Sequence, residues 1–105
     1  NAESTSISTP TSGECVEEFT QHPFEFSVTG YENQDLYLEL YTNGDFDGNL
    51  TLGADDWEPG QTITGVDWNV PEGDPGTDDI TLYIEPGSSN SSQTSIQLDI
   101  APSCP

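Results

Sequence analysis

Short runs in which apolar and polar residues alternate strictly, each closed by Gly, Pro, Asn or Asp, constrain this chain more than any other feature. "FEFSV" puts Phe24, Phe26 and Val28 on one face, and "DLYLELY" sends Leu36, Leu38 and Leu40 one way and Tyr37, Glu39 and Tyr41 the other. A period of two is the period of a half-buried β-strand, because successive side chains point to opposite faces of a sheet. "NLTL" (49–52), "QTITGVDWNV" (61–70), "DITLYIE" (79–85) and "TSIQLDI" (94–100) extend the pattern. Nowhere do apolar residues recur at helical spacing over three turns. About seven short strands with turn signals every eight to twelve residues predict an all-β fold, an immunoglobulin-like two-sheet β-sandwich, with a barrel as the alternative.

At 105 residues the chain fits one domain. Residues 1–13, "NAESTSISTPTSG", are small and polar and read as a Ser/Thr-rich arm or linker, although "TSIS" could add an edge strand. The sandwich is expected over residues 14–105.

Twenty Asp and Glu face no Lys or Arg, a formal charge of −20. Such a surface repels phosphate and anionic lipid, so nucleic acid and membrane insertion of this chain are not expected. Mimicry of DNA suits the charge, but the Ser/Thr-rich start and the cysteines suit secretion better. With no basic partner, the carboxylates must be spread, screened by salt or neutralised by cations.

Cys15 and Cys104, the only cysteines, lie near opposite ends, with no CxxC and a single histidine to complete a zinc site. A disulfide between them is expected, and with it an oxidising, extracellular or cell-surface setting. Two sequons, at Asn49 and Asn90, agree with that setting as N-glycan acceptors. No apolar run is long enough for a signal peptide or a membrane span, so a mature, processed form is expected.

The stretch "NGDFDGNLTLGADD" places Asn43, Asp45 and Asp47 at every second position before Gly48, like the first half of an EF-hand loop. Ala54 stands where the bidentate Glu belongs, with Asp55 and Asp56 just beyond. The expected ion is calcium, held by Asn43, Asp45, Asp47, Asp55 and Asp56 or by "EGDPGTDD" (72–79). The competing reading is a β-hairpin, since Asn-Gly and Asp-Gly are favoured turn pairs.

Nothing in the sequence assembles a catalytic residue. His22 reads as a loop or packing residue, and no GxSxG elbow accompanies the serines. The adjacent pairs Glu17-Glu18, Asp55-Asp56 and Asp78-Asp79 would point to opposite faces of a strand, not across a cleft as glycoside hydrolysis requires. Tyr37, Tyr41 and Trp57 offer flat rings for sugar stacking, whereas Trp68 and Tyr83 read as core residues.

"SISTPTSGE", "DLYLELYTNG" and "ITGVDWNVPEGDPGTDDITLYIEPGSSNSSQTSIQLDI" carry a resemblance. With Ile7, Pro10 and Gly13, then Leu40-Tyr41, then Trp68, Val70 and Pro71, then Tyr83, Ile84, Leu98 and Ile100, the chain resembles an immunoglobulin-like module of secreted surface proteins. That module stands at the N-terminus of fungal Ser/Thr-rich GPI-anchored proteins and of cell-wall β-1,6-glucan assembly proteins. "CVEEFTQHPFEFSVTG" replaces the family's tryptophan-containing entry. The resemblance implies a non-catalytic module that builds or decorates an extracellular layer. The function expected is therefore a structural subunit of a surface layer, stalk or filament that self-associates, or joins other surface proteins, through β-strands; the alternative is a carbohydrate-binding or adhesin module.

Overall fold

The computed structural model describes residues 4–74, 77–86 and 92–105, with the backbone alone at 83–86. The strands are β1 (Ser4–Thr9), β2 (Cys15–Glu17), β3 (Gln21–Thr29), β4 (Leu36–Thr42), β5 (Asp45–Leu52), β6 (Ile63–Asn69), β7 (Asp78–Pro86) and β8 (Ser92–Ala101). They form two sheets, β1-β3-β6 and β2-β8-β7-β4-β5, packed face to face. All pairings are antiparallel except β2 with β8. The described residues form an immunoglobulin-like two-sheet sandwich of eight strands, in which β5 adds a strand beyond β4.

The alternation in the sequence sets the layers. Phe24, Phe26 and Val28 from β3 meet Leu36 and Leu38 from β4, Ile80 and Leu82 from β7, and Leu98 and Ile100 from β8, all buried between the sheets. Tyr37 and Glu39 face outward, half-buried. Trp68 joins the core from β6 as expected.

One expectation changes. Ser4–Thr9 is no free arm: it pairs with β3, packs Ile7 against the core and leads into the buried Pro10. A hydrogen bond of 2.7 Å between the Thr5 and Ser92 hydroxyls ties β1 across to β8. The boundary at residue 13 therefore falls inside the sandwich. The added strand β2 was not legible because its three residues alternate too briefly to register.

Cys15 and Cys104 are bonded, their Cα atoms 5.9 Å apart and 89 positions apart in sequence. The bridge fastens the start of β2 to the segment after β8. It sits at the rim, not between the sheets at β3 and β7 where antibody domains place theirs. Cross-linking a loop of that length restricts the unfolded chain, so replacing both cysteines by serine should lower unfolding stability by about 4 kcal/mol. Urea denaturation with and without reductant measures this, and the serine double variant should match the reduced wild type.

Candidate functional site

The loop end that carries both acidic stretches is built around one carboxylate. Asp78 opens β7 fully buried, and three N–H groups converge on it: the Asp74 amide at 2.9 Å, the Asn43 side-chain amide at 2.8 Å and the Ile100 amide at 2.9 Å. Burial favours the protonated acid, and the three donated bonds outweigh it, holding Asp78 below its ordinary pKa. Asn43 completes the joint: its amide oxygen accepts from the Asp79 N–H, and its own N–H donates to the Asp79 carbonyl. One carboxylate thus binds the β4–β5 hairpin, the β6–β7 connection and β8.

Asn43 can do this because it occupies the turn. Asn43 and Gly44 have φ of 51° and 85°, and Thr42 pairs with Asp45, which together make a two-residue hairpin of the type that demands positive φ at both positions. The hairpin reading of "NGDFDGN" is the structure's answer. Further along, Leu40 pairs with Gly48 and Tyr41 with Phe46, so Asp47 is the extra residue of a β-bulge. The bulge turns its carboxylate inward, where it accepts from the Trp68 indole N–H at 2.5 Å and the Thr42 hydroxyl at 3.0 Å.

Of the five residues expected to hold calcium, Asn43, Asp45 and Asp47 line one cleft, and Asp55 and Asp56 lie elsewhere. Asn43 bonds to Asp78 and Asp79, and Asp47 bonds through Oδ2 to Trp68 and Thr42. Asp55 and Asp56 lie in a 3-10 turn beyond the far end of β5, after a strand that spans roughly 23 Å at about 3.3 Å per residue. Asp45 and Asp47 instead share a cleft of about 250 Å³ with Glu72 and Asp74. Among the described residues no three acidic, histidine or cysteine side chains form a group able to hold a metal ion. "EGDPGTDD" is described only at 72–74 and 77–79, and Asn90 lies outside the described residues.

The remaining candidates separate cleanly. His22 turns Nδ1 to the Pro23 carbonyl at 2.8 Å and Nε2 to Glu14 at 3.0 Å, a packing role at the foot of β3. The Thr11 N–H, opposed by partial burial and aided by His22, holds Glu14 below its ordinary pKa. Trp57 is buried with its indole N–H on the Gln34 carbonyl, so it is not a free stacking platform. Tyr37 and Tyr41 do lie on the outward face; the Tyr83 side chain is outside the described part. Asn49 is exposed on the same face, its amide donating to the Tyr37 hydroxyl at 2.9 Å.

Sequence reasoning missed the buried role of Asp78, which it read as half of an adjacent carboxylate pair and as part of the acidic stretch 72–79. Its signal was faint: it occupies an inward position of the β7 alternation, where Ile80 and Leu82 follow. Comparison with known protein families, with characterised proteins and with solved structures found no match to this chain.

Because Asp78 and Glu14 have folded pKa values below their unfolded ones, the folded state binds fewer protons. The stability they contribute is complete above the ordinary carboxylate range, about pH 4, and is lost as pH falls through the lower folded values. Asp78→Asn turns an acceptor into a donor facing a donor, and should cost about 1–3 kcal/mol at neutral pH. Urea denaturation from pH 7 to pH 2 should show the gap between wild type and D78N narrowing as the acid limit is approached.

Proposed function

We propose that this protein is a non-catalytic extracellular structural module, a subunit of a surface layer or filament that joins its neighbours by β-strand association at the free edge of β1. The observation that carries this reading is a contrast among the four sheet edges. An unpaired edge offers a row of N–H and C=O groups to any passing strand, and proteins blunt it with charge, bulges or brevity.

Three edges here are blunted. β5 carries Asp45 and the Asp47 bulge. β6 carries Asp67 and is interrupted near Gly65, whose φ of 81° suits a bulge. β2 is three residues long. β1 alone is free of charge: "STSIST" contains no carboxylate in a chain of net −20, and its own irregularity falls between Ile7 and Thr9, leaving Ser4 to Ile7 in regular register. Two copies meeting there about a twofold axis would extend the β1-β3-β6 sheet across both molecules, with backbone hydrogen bonds as the joint.

The disulfide and the resemblance to secreted surface modules support the extracellular setting. A layer or filament would add a second contact to the β1 joint, since an isologous contact alone closes as a dimer.

The charge makes the test specific. Repulsion between two chains of −20 opposes association at low salt and fades as the screening length falls from about 10 Å at 0.1 M to about 3 Å at 1 M. Sedimentation velocity should show the wild type associating as salt rises. Ser6→Asp, an exposed position on β1, should remain monomeric in the same salt with unchanged circular dichroism. A wild type that stays monomeric throughout, or an S6D variant that associates equally, overturns the reading.

A further inference from the structure

We infer that the outer face of the five-stranded sheet is a binding site for a neutral polysaccharide chain. Strand register lines up Phe46 on β5, Tyr41 on β4, Thr81 on β7 and Ser95 on β8 as one row across the sheet. With neighbouring strands about 4.8 Å apart, the row is roughly 14 Å long, longer than one sugar ring. Its aromatic end is preformed. Phe46 is 54% exposed, and Tyr41 packs edge-on against it with ring centroids 5.7 Å apart. Tyr37 stands on the same strand face, its hydroxyl fixed by Asn49.

The other end is a hollow of about 430 Å³ lined by Ser12, Asp79, Thr81, Ser95, Ile96 and Gln97. That size falls within the range of ligand pockets, roughly 300–1,000 Å³. Its walls are pinned through the backbone. Gly13, beside Ser12, donates its N–H to the Gln97 carbonyl at 2.7 Å, and Asp79 is held on both sides of its peptide by Asn43. Thr81 and Ser95 share a hydrogen bond of 2.7 Å between their hydroxyls.

The chemistry of the lining selects the ligand. Hydroxyls and an amide both donate and accept, and a carboxylate can accept from two adjacent alcohols, while flat rings cover the C–H face of a sugar. A protein partner would call for a contiguous apolar centre; here the one aliphatic lining residue, Ile96, turns its side chain to the core. Charge narrows the choice. Glu39 lies between the tyrosines along β4, Asp79 lines the hollow, and the chain has no Lys or Arg. Acidic glycans are therefore repelled and neutral ones are not. Ser6 on β1 does not line the row or the hollow, so the two surfaces can be tested separately.

The experiment uses the full chain made in a host that adds no N-glycans, which leaves Asn49 bare. Affinity electrophoresis through gels containing laminarin, xylan, mannan or amylopectin, with alginate as the anionic control, reads the binding. Retardation is expected in at least one neutral gel, not in alginate, and it should persist in about 1 M salt, where charge attraction is screened. Phe46→Ala and Gln97→Ala, both at exposed positions, should each weaken it about tenfold, while Ser6→Asp should leave it unchanged. No retardation in any neutral gel, equal retardation in alginate, or full binding by both the F46A and Q97A variants would overturn the inference.

Discussion

A carboxylate in this protein cannot be answered by a lysine or an arginine, and the architecture follows from how it is answered instead. Backbone and side-chain N–H and O–H groups take the place of cations. Asp78 receives three N–H bonds, Asp47 an indole and a hydroxyl, Glu14 the Thr11 amide, Glu18 the Gly73 amide and Asp35 the Ala54 amide. A loop amide otherwise left unpaired is costly, and a charged acceptor makes a stronger bond than a neutral one. The same pairing therefore satisfies the loops and anchors the charge. His22 with Glu14 is the histidine–carboxylate contact found among the described residues.

Placement matters as much as pairing. The bonded carboxylates gather where chain segments change sheets: Asp78 between β6 and β7, Glu18 and Glu14 around the passage from β1 to β3, Asp35 under the turn after β5. Sheet crossings are where backbone groups leave the ladder and need other partners. Gly73 shows how tight such a crossing is, since a Cβ there would collide with the Ile100 carbonyl while its N–H reaches Glu18. An acidic composition, usually read as a surface property, here extends into the joints that define the topology.

This explains what the sequence disclosed and what it hid. Strands β3, β4, β7 and β8 were legible because Phe24, Leu38, Ile80 and Leu98 recur with period two, and the Asn43-Gly44 turn because positive φ at two successive positions leaves few alternatives. The buried Trp57 was hidden, as a loop tryptophan carries no periodicity to say which way it faces. Asp47 was hidden because a bulge reverses the parity of the strand after it, so "FDG" reads as a turn while its carboxylate points at Trp68. Sequence proximity was also a poor guide to which of the expected calcium residues share a place in the fold. Spacing in sequence places Asp45, Asp47, Asp55 and Asp56 close, yet an extended β5 carries the later pair away.

The uncharged segments then acquire a meaning that composition alone does not give. Ser4–Gly13 and Pro86–Leu98 contain no carboxylate, and the fold brings strands from both together, with Thr5 bonded to Ser92 and Ser12 beside Ser95 and Gln97 at the hollow. The molecule thus has a flank low in charge running from the free edge of β1 to the β8 side of the outer face, with Glu25 and Asp79 at its margins. A second chain of the same charge meets least repulsion along that flank, since screened Coulomb forces at 0.1 M salt still reach about 10 Å. Charge here directs approach by exclusion: the carboxylates deny most of the surface to anionic partners, and that flank is where shape and hydrogen bonding are left to decide.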